Sequence, residues 1–307
     1  MGKTKAMAPK VVQQFDANDV LGRAVLVNLS ISIWEARRFD REITQKVNKD
    51  YGANKEAGRW NKHLFGGPVP ELSAVQSAYK KLRDAHKRFT LPWSGDGTDI
   101  LPTANSMAYA EAMREGIGEY REAVSKFITA YPRLVIESKV KLNGAWRASD
   151  YPHPNSLEKR YEINLTYTPI PNGSDFRVTL SDGEKEQMAK STEKYVASKL
   201  SGAMKEAWAR LGEAVTYLRD RLEPSESKNL RQTMVERLDE IARSLGNLNI
   251  VGDPTLEEVR KQVLGQLAAF DVDSAKKDEK VRENMAAEAD AILKKMAGYF
   301  QVKKGDS

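Results

Sequence analysis

Cysteine is missing from all 307 residues, which excludes a disulfide framework, a thiolate nucleophile and a zinc site built on sulfur. Histidine is almost as scarce. His63, His86 and His153 lie far apart with no paired helical spacing, so neither a histidine metal site nor a histidine base finds support. No run approaches the roughly 18 apolar residues of a membrane span, and the opening MGKTKAMAPK lacks the apolar core of a secretion signal. The expectation is a cytoplasmic protein without a membrane partner.

Catalytic signatures are missing too. There is no nucleophile elbow, dinucleotide fingerprint or paired-histidine zinc helix. Gly2-Lys3-Thr4 has the end of a phosphate-binding loop, but the sequence carries no glycine five residues before Gly2, so no phosphate loop is expected there. Asp96, Thr98 and Asp99 resemble the start of a calcium loop without its spacing or closing glutamate; they are read as turn residues. Catalytic, cofactor-binding and metal-binding residues are therefore expected to be none, and the chain is expected not to be an enzyme.

What is present is charge and helical periodicity. Charged residues make up 30% of the chain and apolar ones 40%, the balance that long helices with solvated faces produce. The net charge of +6 is unevenly placed: residues 1–100 hold 17 Lys and Arg against 11 Asp and Glu, so the remainder is neutral. If an anionic partner exists, the first hundred residues are the face for it.

Along the chain, residues 25–34 (VLVNLSISIW) alternate as a half-buried strand. Trp60 and Leu64, four apart, fit one edge of a helix. Residues 71–90 form an amphipathic helix with Leu72, Val75, Tyr79, Leu82, His86 and Phe89 on its apolar stripe, and His86 is expected as a satisfied core-edge histidine. Residues 91–106 are a loop, and a second helix at about 105–130 packs antiparallel to the first. Residues 131–183 contain five prolines and interrupt the helical pattern: 133–142 is helix or extended, Asn143-Gly144 a turn, and 161–168 with Phe176, Val178 and Leu180 a β-hairpin. An isolated hairpin is marginal in water, so it should join the strand at 25–34 or the helices on either side.

From Ser181 the chain returns to helix, opened by a capping box at Ser181 and Glu184 and running to Pro224. Met204, Trp208, Leu211, Val215, Leu218 and Leu222 form a heptad-like seam. Three further helices, at about 225–245, 254–270 and 277–300, complete an antiparallel bundle or a coiled-coil-like arm. The expected class is mostly α within α+β, with a small antiparallel sheet of two or three strands. The expected layout is a flexible tail at 1–18, a basic strand-plus-helix part at 19–130, a hairpin and proline-rich connector at 131–183, and a helical bundle at 184–307.

Candidate binding residues follow from charge and aromaticity. Lys80, Lys81, Arg83, Lys87 and Arg88 give the densest cationic stretch, on the helix at 71–90. Arg59, Trp60 and Lys62 precede a Gly66-Gly67-Pro68 turn, and Trp146, Arg147 and Tyr151 lie in the proline-rich stretch. Aromatic faces accept bases and cations track phosphates. A solvated helix face explains the same pattern without a ligand.

Several stretches resemble an uncharacterised family of bacteriophage and bacterial proteins that carries a domain-of-unknown-function label. They are LSISIW at 29–34, SDYP at 149–152, SDFRV at 174–178, AAEADAIL at 286–293 and MAGYF at 296–300. The resemblance covers most of the chain after about residue 20. It implies a phage or prophage origin and an ATPase-linked assembly, and carries no catalytic residues. The leading expectation is a non-enzymatic helical protein that binds DNA or RNA through its basic N-terminal half. The alternative is an adaptor whose long C-terminal helices dock its own copies or an ATPase partner.

Overall fold

The computed structural model describes residues 20–173, 181–226 and 229–299. The fold is mostly helical α+β. Its strands are β1 (Ala24–Ile31), β2 (Arg37–Phe39), β3 (Asn61–His63), β4 (Leu91–Pro92), β5 (Thr98–Pro102) and β6 (Ile163–Thr168). The helices are α1 (Arg41–Asp50), α2 (Pro70–Phe89), α3 (Ser106–Leu142), the single turn α4 (Pro154–Leu157), α5 (Asp182–Arg221), α6 (Gln232–Leu248), α7 (Pro254–Gln262), α8 (Val272–Lys277) and α9 (Glu279–Met296). A four-stranded sheet has the order β4-β5-β1-β6, and β2 with β3 makes a separate ribbon.

Two compact units divide the chain. The smaller comprises Leu29–His86 and Tyr109–Leu165; the larger comprises Met1–Asn28, Lys87–Ala108 and Thr166–Ser307.

In the smaller unit α2 and α3 run antiparallel, as their spacing predicts. The pairs Glu71 with Arg133, Lys81 with Glu119 and His86 with Tyr109 ascend one helix while descending the other. Gly116 lets the backbones close in, since a Cβ there would stand 2.9 Å from Leu82 Cδ1. His86 is buried, with Nδ1 2.8 Å from the Tyr109 hydroxyl. Between the helices and the irregular segments lies an aromatic cluster of Trp34, Phe65, Phe127, Tyr131 and Tyr161, whose ring centroids are about 6 Å apart in mostly edge-on contacts. Three tyrosines turn their hydroxyls outward to peptide carbonyls: Tyr120 donates to Ser32 at 2.8 Å, Tyr131 to Pro152 at 2.8 Å and Tyr161 to Trp34 at 3.1 Å. Burial pushes the Tyr131 phenol up to about 12 and raises those of Tyr120 and Tyr161 as well. These hydroxyls stay protonated donors.

The larger unit is built on α5. Its start carries the expected capping box, with Ser181 and Glu184 satisfying each other's backbone N–H groups. Its seam of Met204, Trp208, Leu211, Val215, Leu218 and Leu222 is fully buried in one core with Leu238, Ala242 and Leu245 of α6 and Met285, Ala289 and Ile292 of α9. The helix α9 runs antiparallel to α5, since Arg219 pairs with Asp290 while Trp208 stacks on Tyr299, centroids 4.3 Å apart. Bundle rather than projecting arm is the outcome, and the seam is used within its own unit. The strands β5 and β4 seat Leu91 and Ile100 in the same core, with Ala24 of β1 paired to Pro102 and Asn28 to Thr98.

Four local expectations change. Residues 91–102 form the hairpin β4–β5 rather than a loop: Asp96 closes its turn by accepting from Ser94 Oγ and from Thr98 N, with Gly97 at φ +86°. The sheet gains these two strands, while the second strand expected around Phe176, Val178 and Leu180 lies outside the described residues. The helix α3 continues through Pro132 to Leu142, because Tyr131, Leu134 and Ser138 extend the buried stripe of Phe127 while Pro132 faces solvent, where the carbonyl left without a donor can be hydrated. Trp60 to Leu64 is extended, not a helical edge, because residues 61–63 pair with β2.

Trp208 joins α5 to both neighbours, since its Nε1 also donates to Asp253 Oδ2 at 3.2 Å at the start of α7. Trp208→Ala should therefore destabilise the protein by about 3–5 kcal/mol, measured as the loss in urea-unfolding free energy. A loss below about 1 kcal/mol would mean that the bundle closes without it.

Candidate nucleic-acid interface

The strands β2 and β3 are too short to hold together alone, and their register shows what fixes them. Arg37 lies opposite His63, Arg38 opposite Lys62 and Phe39 opposite Asn61. Side chains alternate across a ribbon, so Arg38, Lys62 and the following Asp40 share one face while Arg37, Phe39, Asn61 and His63 take the other.

The first face is ionic, with Lys62, Asp40 and Asp150 buried and Arg38 at its exposed edge. Lys62 Nζ lies 2.8 Å from Asp40 Oδ2 and 2.6 Å from Asp150 Oδ2, and it donates to the Ala145 carbonyl at 2.8 Å. Arg38 Nε stands 3.1 Å from Asp150 Oδ1. Asp40 also caps α1, its Oδ1 accepting from Ile43 N at 3.0 Å. The hydrogen bond from Lys62 holds the Asp40 carboxyl below the usual carboxylate range, against the opposing effect of burial. Burial disfavours the Lys62 ammonium, yet bonds and charge from Asp150 and Asp40 outweigh it and raise its pKa.

Polar bonds tie α1 to the ribbon. Thr44 Oγ1 donates to the Asp40 carbonyl at 2.7 Å and accepts from Trp60 N at 2.9 Å, and Asn48 Nδ2 donates to the carbonyls of Lys55 and Gly58. Arg147 forks onto both oxygens of Glu42 at 3.2 and 2.7 Å, a bidentate pair. Trp146 stacks on Tyr151 at 5.7 Å and donates to Ser138 Oγ at 3.1 Å, while the Tyr151 hydroxyl donates to the Leu64 carbonyl.

The exposed side chains of this lobe are largely cationic and aromatic. Residues 37–63 hold eight Lys and Arg against four Asp and Glu. Four large apolar side chains of this stretch are exposed: Phe39 at 46%, Val47 at 40%, Tyr51 at 85% and Trp60 at 37%. Arg37, Arg41, Lys46, Lys49, Lys55 and Arg59 are exposed as well. The smaller unit as a whole has 20 Lys and Arg against 15 Asp and Glu, so it carries most of the chain's surplus.

Of the residues expected to meet a polyanion, Arg59 and Trp60 lie exposed on this lobe. Lys62 does not: its ammonium is buried, 2% exposed, and neutralised by two carboxylates, so its role is to anchor. Trp146, Arg147 and Tyr151 do gather around that anchor, but Trp146 and Tyr151 are half-buried against each other and Arg147 is committed to Glu42. The stretch on α2 is less free than its composition suggests. Lys81 pairs with Glu119 at 3.4 Å, Arg88 with Glu240 at 3.2 Å, and Arg83 donates to the Leu29 carbonyl at 3.4 Å, leaving Lys80 and Lys87 exposed. Among the described residues no hydrogen bond or ion pair joins Lys80, Lys81 or Arg83 to the lobe. Arg37 and Phe39 are not legible in the sequence because a three-residue strand has too little alternation to register, and Arg-Arg-Phe followed by the capping Asp40 is the available signal; Tyr51 sits at the C-cap of α1.

Lys62→Met leaves the buried Asp40 without its ion-pair partner and Asp150 with Arg38 alone, and should cost about 3–5 kcal/mol. The Asp40 contribution in the wild type is fully present above its unfolded pKa and is lost as pH falls through the depressed folded value. That of Lys62 is fully present below its unfolded pKa and is lost as pH rises through the raised folded value. The gap between wild type and variant in urea unfolding should therefore narrow from pH 7 to about pH 3.5, and an unchanged gap would remove the ammonium–carboxylate assignment. Comparison of the chain with protein-family models, with curated proteins and with solved structures gives no match.

Proposed function

We propose that the protein is a non-enzymatic nucleic-acid-binding protein that engages DNA or RNA through the lobe of β2, β3 and α1. The observation that carries this is the coincidence of a cationic surplus with exposed Phe39, Tyr51 and Trp60 on residues 37–63. Cations release counterions from a phosphate backbone and supply salt-dependent affinity, while ring faces stack on bases that a duplex keeps covered. The preferred ligand is accordingly single-stranded. The buried ion cluster gives the lobe a fixed shape, so little ordering entropy is lost on contact. A cytoplasmic, phage-type setting accompanies this reading. No helix among the described residues is long and apolar enough to cross a membrane.

Fluorescence anisotropy with single- and double-stranded oligonucleotides at 50 and 200 mM salt tests it. Affinity should fall steeply with salt, by tenfold or more if a few phosphates are contacted. Trp60→Ala should weaken single-strand binding by about 1–3 kcal/mol and leave duplex binding nearly unchanged. Reversing Lys49, Lys55 and Arg59 to Glu should abolish both. Binding that survives the triple reversal, or that shows no salt slope, would refute the assignment.

A further inference from the structure

The larger unit holds a groove of about 610 Å³ where α5 ends and α6 begins, lined by Tyr217 and Arg221 from α5 and by Asn229, Arg231, Thr233 and Arg237 around the start of α6. Three arginines line a space within the usual range for small-molecule sites. Most other arginines of the larger unit are matched: Arg88 with Glu240, Arg210 with Glu206, Arg219 with Asp290 and Glu223, Arg243 with Asp239 and Arg260 with Glu257. Arg231 and Arg237 have no carboxylate partner among the described residues, and both are exposed. Arg231 is also the N-cap of α6, which begins without a side-chain cap and without an acid in its first turn, so its leading N–H groups add to the positive field.

Arg221 alone is answered from within. Its guanidinium bonds to Glu226 Oε2, which also accepts from Asn229 Nδ2 at 2.9 Å, and those two bonds, Asn229 first, hold the Glu226 carboxyl below its usual range. The same guanidinium lies over the Tyr217 ring, 5.4 Å from its centroid, and that ring is 47% exposed. One carboxylate thus occupies one arginine of three, which leaves room and charge for a larger anion.

We infer that this groove binds a polyphosphate anion, either free or borne by a nucleoside, with Arg231 and Arg237 gripping phosphate oxygens and Glu226 giving up Arg221 as the ligand enters. Planar forks suit phosphate oxygens in pairs, and the exposed face of Tyr217 offers a platform for a base. The inference concerns residues outside the lobe assigned to nucleic acid and stands or falls separately.

Isothermal titration of the full chain with tripolyphosphate, and separately with ATP, tests it. Saturable one-to-one binding is expected, weakened about tenfold or more in Arg231→Gln/Arg237→Gln and strengthened in Glu226→Gln, with unfolding curves of all three matched. Tighter binding of ATP than of tripolyphosphate, removed by Tyr217→Ala, would place a nucleoside on the ring; equal binding would make the free oligophosphate the ligand class. Absence of saturable binding would overturn the inference. So would equal weakening by Lys277→Gln/Lys294→Gln, which removes two exposed charges far along the sequence and would reduce the effect to non-specific attraction.

Discussion

One ammonium group organises the least regular part of this protein. Lys62 meets Asp40 at the start of α1, Asp150 in the proline-rich stretch and the Ala145 carbonyl after α3, so three segments separated by up to about a hundred residues converge on one atom. Such a cluster gains little over an apolar packing of the same shape, because desolvation offsets most of the attraction. What it supplies is direction: three donors fix the angles at which the ribbon, the helix and the loop meet, which a layer of leucines would leave free. The outward surface inherits that definition, and Phe39, Trp60 and the cations around them stand on a frame rather than on a mobile loop.

The larger unit relies on the opposite principle. Its core is a continuous apolar seam along α5, and capping side chains mark where its helices begin: the Ser181 box, the cap of Asp253 on Thr255 and Leu256, and the Asp278 cap on α9. Non-directional burial sets the stability there and caps set the boundaries. The junction between α5 and α6 departs from this, since Arg231 and Arg237 there have no carboxylate partner among the described residues and Glu226 answers Arg221 alone. Charge left unmatched beside a cavity is a feature that packing does not require.

Long elements were legible in the amino-acid order, and short ones were not. The stripes of α2 and α3 and the seam of α5 repeat a period over several turns; they and the capping box at Ser181 are found where expected, with α3 running on past 130 to Leu142. The hairpin β4–β5 was hidden because its strands are two and five residues long and its turn chemistry, Ser94 to Thr98, dominates the composition. Pro132 misled for a related reason: a local rule was overridden by burial of Tyr131 and Leu134 on either side of it. The candidate site was half legible. Trp60 and Arg59 stood out as an aromatic–basic pair, but Lys62 between them and the glycine turn had the same composition and the reverse role. Burial, which no local pattern reports for a lone lysine, separates the two.

The interleaving of the two units has a consequence for how the chain is made. All segments of the smaller unit, 29–86 and 109–165, are synthesised before the first residue of α5. The strands β1, β4 and β5, however, present Ala24, Leu26, Leu91 and Ile100 to a core whose other wall, from Val196 onward, emerges about a hundred residues later. At roughly 5–20 residues per second this apolar face waits about 5–20 s for its cover. Its exposure time is set by the rate of translation rather than by the speed of folding, so a slower ribosome lengthens the interval in which a chaperone, or a second nascent chain, can take the place of α5.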